Sequence, residues 1–134
     1  MKELYIPITP DFIVKPSELF IKVKATFLNP VDCLVKGFSY GFTGGDKVIG
    51  CDFASIVLNA GSQTNFKPGD HLLGCLEVFF KVGSCSDYMR FDVNTTRILE
   101  KIPEGMKFQE AASLPIVSGA AHQCLINHQR HIKG

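Results

Sequence analysis

Leu19-Phe20-Ile21-Lys22-Val23-Lys24-Ala25-Thr26-Phe27-Leu28-Asn29-Pro30-Val31-Asp32-Cys33-Leu34-Val35-Lys36-Gly37 changes its period midway. In the first half Leu19, Ile21, Val23, Ala25 and Phe27 alternate with Lys22, Lys24 and Thr26. Period two puts the apolar set on one face, the pattern of a half-buried strand. In the second half Asn29 can cap a helix, Pro30 suits its first position, Asp32 is an acid in its first turn and Gly37 suits its exit. A strand running directly into a short helix is therefore expected.

Working outward, a second strand is expected from Val48 to Asn59, ending at Ala60-Gly61-Ser62. Pro68 and Gly69 in Phe66-Lys67-Pro68-Gly69-Asp70 suit the two central positions of a type II turn, because proline fixes φ and glycine permits φ > 0. Further strands are expected at His71 to Leu73, at Ser86 to Asp92 beyond an irregular stretch from Gly74 to Gly83, and around Arg97 to Ile102. From Phe108 the composition turns to Ala, Gln and Glu. Leu114, Val117, Ala121, Leu125 and His128 then recur at helical spacing, with Pro115 as a break between a short helix and a longer one. The fold class this predicts is mainly β (α+β): a β-rich body with a C-terminal helical segment.

Length and composition are those of one globular domain: 134 residues, 46% apolar, 20% charged, formal charge +1. The 14 basic and 13 acidic residues nearly cancel and form no long block of one sign. Neither nucleic acid nor a polybasic membrane contact is expected as partner. No run of about 18 apolar residues occurs, and Pro7 and Pro10 interrupt the N-terminal stretch, so the expected compartment is the cytoplasm. Five cysteines (Cys33, Cys51, Cys75, Cys85, Cys124) without a CxxC pair read as reduced, mostly buried thiols.

Four segments in fixed order, IKVKATFLNPVDCLVKG, IGCDFASIVLNAGSQTNFKPGDHLLG, GSCSDYMRFDV and KIPEGMKFQEAASLPIVSGAAHQCL, resemble the catalytic domain of the medium-chain dehydrogenase/reductase superfamily. They cover most of residues 19 to 125, and the branch resembled is the zinc-independent one of quinone oxidoreductases and enoyl reductases. The resemblance implies a GroES-like, partly open β-barrel holding a small-molecule substrate against NADPH, which a separate Rossmann domain binds. It implies reduction of a quinone or an activated C=C by hydride transfer.

The resemblance also implies site residues. Asn29 would line the cleft beside the nicotinamide and Asp32 would fix its loop, alongside the plain reading of both as parts of a helix cap. Cys51 and Asp52 fall where zinc enzymes of the superfamily carry Gly-His-Glu, which makes them cleft-lining candidates. Cys51 also reads as a small buried hydrophobe on a strand. Tyr40, in the loop after the NPVD helix, is either a proton donor after hydride transfer or an ordinary loop aromatic. The zinc ligands of the zinc-dependent branch map to Asn29, Cys51 and Ile116, one soft donor of three, so no metal is expected. Leu34 and Ala120 stand where quinone oxidoreductases carry a Tyr and a Thr.

Residues 1–134 thus read as a GroES-like domain without its Rossmann partner, because no glycine-rich loop follows a strand, and Gly41, Gly44 and Gly45 do not meet that context. Relatives begin with a hairpin before the segment matching Glu3-Leu4-Tyr5-Ile6-Pro7, and they continue beyond the point matching Lys133-Gly134. The expectations are a chain that binds no NADPH by itself and is inactive alone, with the stretch from His122 to Gly134 frayed. An unpaired strand edge is expected to be open to a partner. The alternatives are a non-catalytic interaction module, or half of an enzyme completed in trans.

Overall fold

The computed structural model describes residues 13–34, 48–77 and 83–132, with side chains to residue 126. Five strands, β1 (Glu18–Phe27), β2 (Asp52–Ala60), β3 (His71–Leu76), β4 (Tyr88–Asp92) and β5 (Thr96–Lys101), precede two helices, α1 (Phe108–Ala112) and α2 (Pro115–Ile132). The strands form one antiparallel sheet in the order β4-β1-β2-β3-β5. This sheet curls into the open half-barrel of a GroES-like domain. Among the described residues β4 and β5 are its outer strands.

The alternation along β1 continues only part of the way. Leu19 and Ile21 enter the concave core with Phe53, Val57, Leu72, Leu76, Met89 and Phe91, and Val23 packs against it. Val23 then pairs with Ser55 while Ala25 pairs with Ala54, so β1 carries one residue more than β2 between these pairs. Such a bulge reverses which face the following side chains take. Ala25 accordingly joins Ala54, Ala111 and Ala112 under α1 on the opposite face, and Phe27 is left exposed. The single stripe expected for Leu19 to Phe27 is thus divided between two faces.

The turn before β3 forms as expected: Asp70 N donates to Lys67 O (3.1 Å) and Gly69 has φ +89°. Asp70 also accepts from Lys67 N at 3.0 Å and pairs with Lys101 Nζ at 2.9 Å. β2 starts at Asp52 rather than Val48, and β3 runs on to Leu76 because β5 pairs along its length. The helix break falls where Pro115 places it, between α1 and α2. The stripe running from Leu114 into α2 is not covered by the sheet: Leu114, Val117, Ala121 and Leu125 are exposed, Leu125 by 67%.

None of the five thiols is in a disulfide, but only Cys51 and Cys75 are buried. Cys33 and Cys124 lie on helical turns facing solvent and Cys85 lies in the loop before β4, so the expectation of mostly buried thiols is corrected. No helix is long and apolar enough to cross a membrane among the described residues.

Candidate functional site

The β1 bulge aims the end of the strand at the helix-covered face, and Phe27 pairs with Asp52 at the start of β2. Two residues on, Asn29 begins a helical turn over residues 30–34. Its own side chain does not cap that turn, contrary to the local reading of the sequence. The cap runs the other way, with Asn29 N–H donating to Asp32 Oδ2 at 2.7 Å. This is one arm of a capping box, in which an acid three residues into the helix holds the entry amide.

Relieved of capping, the Asn29 side chain donates through Nδ2 to Asp52 Oδ2 at 2.9 Å. The same carboxylate accepts from the backbone N–H of Ile116, at 3.2 Å to Oδ1 and 3.3 Å to Oδ2. Amides in the first turn of a helix have no intrahelical partner, and an anion there also meets the positive end of the helix dipole. The first turn of α2 contains no acid of its own, so Asp52 supplies one from the sheet. Cys75 sits opposite Asp52 on β3, close enough to act on its carboxyl, while its thiol donates to Leu76 O at 3.3 Å.

The second acid is close by. Cys51 is buried, as a small hydrophobe would be, directly before β2, and its Sγ donates to Asp32 Oδ1 at 3.2 Å, which ties it to the NPVD turn. Asn29, Asp32, Cys51, Asp52 and Cys75 are all buried, Asp52 completely. Four predicted site residues therefore meet in one network. Tyr40, the fifth, lies outside the described residues. Sequence reasoning missed Cys75, whose only signal is its place in a strand opposite Asp52. It named Ile116 only as a position matching a zinc ligand of the zinc-dependent branch and missed its backbone amide.

Burial pushes the Asp52 carboxyl above the ordinary range against the pull of Asn29, Ile116 and Cys75, and the nearby Asp32 adds to the rise. Burial first, and Asp52 second, also pushes the Cys75 thiol up, which makes it a poor nucleophile. Cys85, though exposed, is also raised, by partial desolvation first and Asp32 second. Two carboxylates close together, their oxygens taken by protein donors, do not suit an anionic ligand.

A pH dependence follows. Because the native state holds the Asp52 proton more tightly than the unfolded chain does, raising the pH from below the ordinary carboxylate range through the folded value removes native stability. Asp70, Glu77 and Asp92 are held low by Lys101, Arg97 and Ser17 respectively and act in the opposite direction. They cancel when wild type is compared with Asp52→Asn. The unfolding free energy of wild type minus that of Asp52→Asn is expected to fall as pH rises through the acid range and then level off, measured by urea titration at a series of pH values. A difference that grows with pH would contradict the burial argument.

The positions that map to zinc ligands are already engaged within the protein. Asn29 and Ile116 are both committed to Asp52, and the Cys51 thiol is bonded to Asp32. Among the described residues no three His, Cys, Asp or Glu side chains converge as a metal site. A catalytic zinc needs three protein ligands and an open position, and the donors here do not fit one.

The family model of the alcohol dehydrogenase GroES-like domain matches residues 15–130. Protein YIM1-2 of Lachancea thermotolerans is 33% identical over 126 residues, which take in 87% of this chain and 35% of that protein. The solved quinone oxidoreductase of Coxiella burnetii is similar with a TM-score of 0.69 at 27% identity, covering 84% of this chain and 37% of that one. A Rhizobium etli protein assigned to the zinc-dependent alcohol dehydrogenases gives a TM-score of 0.71 at 30% identity, covering 84% and 32%. The chain spans about a third of the length of these relatives. Its structural neighbours include quinone oxidoreductases and enoyl reductases of the medium-chain dehydrogenase/reductase superfamily. With the match extending over nearly all of its described residues, the chain belongs to the alcohol dehydrogenase GroES-like domain family.

Proposed function

We propose that this chain is the substrate-side domain of a zinc-independent oxidoreductase that reduces a quinone or an activated C=C with NADPH. The observation that carries the reading is the convergence of Asn29, Asp32, Cys51 and Asp52 at the start of α2, with Asn29 only 7% exposed and fixed at both its backbone and its side chain. A polar group held in this way costs ordering entropy at folding rather than at binding, which is how a positioning residue gains its effect. NADPH, bound by a dinucleotide-binding domain, supplies the hydride; Asn29 borders the cofactor and Asp32 holds the turn that carries it. Tyr40 is assigned the return of the proton to the reduced substrate.

The exposed apolar residues Phe27, Leu28 and Leu34 flank Asn29 in sequence. They favour an uncharged, largely apolar substrate, because desolvating a charge against them would not be compensated.

The test is NADPH oxidation, with para-quinones and α,β-unsaturated ketones as acceptors, by the endogenous polypeptide containing residues 1–134. Asn29→Ala is expected to lower kcat/KM by roughly 10- to 100-fold, the cost of a misplaced reactant, while residues 1–134 alone give no turnover. A folded Asn29→Ala variant with unchanged kcat/KM, or a purified endogenous polypeptide that oxidises no NADPH, would overturn the reading.

A further inference from the structure

The two ends of an asparagine amide are chemically opposite, and which end faces a ligand decides what can bind. The assignment of N and O follows from the hydrogen-bond network. With Asp52 ionised, the network leaves one choice. Asp52 is acceptor-only when ionised, so the branch of the Asn29 amide facing it at 2.9 Å is Nδ2. The other branch, Oδ1, takes no hydrogen bond from a described residue and is not among the buried side-chain atoms sealed without a partner. Among the described residues it is thus left free to accept from a ligand.

The geometry assigns Asp52 as a positioning residue: by accepting from Asn29 Nδ2 and from the Ile116 amide together, it fixes the Asn29 side chain with nitrogen inward and oxygen outward. The chain then offers its ligand a neutral acceptor, and the matching ligand group is a neutral N–H or O–H donor such as a primary carboxamide, not a carboxylate. This ligand assignment rests on the proposed cofactor-side role of Asn29. The orientation itself rests on the hydrogen bonds alone.

Asp52→Asn makes the argument testable. The Ile116 amide must still be accepted, so the carboxamide introduced there turns its oxygen to α2 and its NH2 to Asn29. Asn29 must then flip and present NH2 outward. In Asn29→Asp the two carboxylates face each other. In the double variant Asn29→Asp with Asp52→Asn the pair is exchanged, one donor meets one acceptor again, and an acceptor once more faces outward.

The experiment is ¹⁵N NMR of the full 134-residue chain, following water exchange of the Asn29 side-chain amide, which is assigned by its loss in Asn29→Asp. Exchange is expected to be at least about tenfold faster in Asp52→Asn than in wild type, the scale of a lost hydrogen bond to a charged group. The double variant is expected to be more stable than Asn29→Asp, a coupling that additive effects would not give. Fast exchange of the Asn29 amide in wild type, or additivity in the cycle, overturns the orientation, and the former needs no variant to fold.

A second arm titrates nicotinamide and nicotinate and follows the backbone amides around Asn29. Wild type is expected to prefer nicotinamide, Asp52→Asn to reverse the preference, and the double variant to restore it. Slow, Asp52-dependent exchange without any such preference supports the orientation and overturns the ligand assignment, while the cofactor-side reading stands or falls on the Asn29→Ala kinetics of the endogenous polypeptide.

Discussion

Gly61→Ala is expected to unfold the chain under conditions where Gly69→Ala leaves it folded. Gly61 follows the end of β2, and its N–H donates to Glu18 O at 2.9 Å, which closes the first pair of the β1–β2 ladder. A methyl group built on Gly61 would fall on the main-chain carbonyl oxygens of Lys15 and Pro16. Those atoms cannot rotate away as a side chain can. The Lys15 carbonyl accepts from Glu18 N at 2.9 Å and the Pro16 carbonyl from Gln63 N at 2.8 Å, so moving either breaks a further bond. Overpacking in a fixed site costs about 1–3 kcal/mol, and each hydrogen bond lost adds roughly 1 kcal/mol. A loss of about 3–5 kcal/mol takes most of the stability a small domain has. Gly69 is the contrast: its φ of +89° disfavours alanine, but nothing lies within 4 Å of the added methyl, so only the left-handed backbone cost of about 1–2 kcal/mol applies. Thermal unfolding followed by circular dichroism separates the two. A Gly61→Ala chain as stable as Gly69→Ala would show that the 15–18 turn yields freely.

Most of the architecture was legible because it depends on local patterns. Period two located β1, Pro68-Gly69 located the turn before β3, and Pro115 divided the helices. What could not be read locally is the bulge at Val23 to Ala25, since it arises from the count of residues on β2 opposite β1. That bulge matters to the site. It brings Ala25 under α1 and directs the end of β1 to the face on which Asn29 reaches Asp52. The site residues were legible as types at positions resembling a family, but not as a network. Asn29 and Asp32 are three residues apart and were read as cap and acid, whereas Asp52 and the Ile116 amide are 64 residues apart. Nothing in a strand sequence announces that its first acid will hold the start of a distant helix. Cys75 was invisible for the same reason. The apolar stripe on α2 was read correctly as periodic, yet periodicity says only that residues share a face, and this face is exposed.

Phe53→Ala is expected to destabilise the chain by about 3–5 kcal/mol, the range for truncating a fully buried aromatic. Phe53 has no exposed surface and is among the largest side chains buried in the core. Its ring meets that of Phe91 on β4 at 5.7 Å between centroids, tilted by 60°, a geometry that adds to area burial. Its edge lies over Gly74 on β3, where the absent side chain leaves the ring its space. Phe53 thus joins β2 to β3 and β4 across the concave face, and the strands around it are paired and cannot close into the void. Leu125→Ala removes a comparable apolar side chain from the exposed face of α2 and is expected to change stability by less than about 0.5 kcal/mol. Urea unfolding of the three chains, with the slope held as a check on the denatured state, gives both numbers. Two outcomes would relocate the core. Equal losses for the two variants would mean that α2 is packed in solution on its Leu125 face, and a loss below about 1 kcal/mol at Phe53, far short of the usual range, would mean that the half-barrel collapses around the deletion. The expected asymmetry follows from burial alone: the same sheet whose helix-side face aligns Asn29, Asp52 and Ile116 is held in shape from its other face by Phe53.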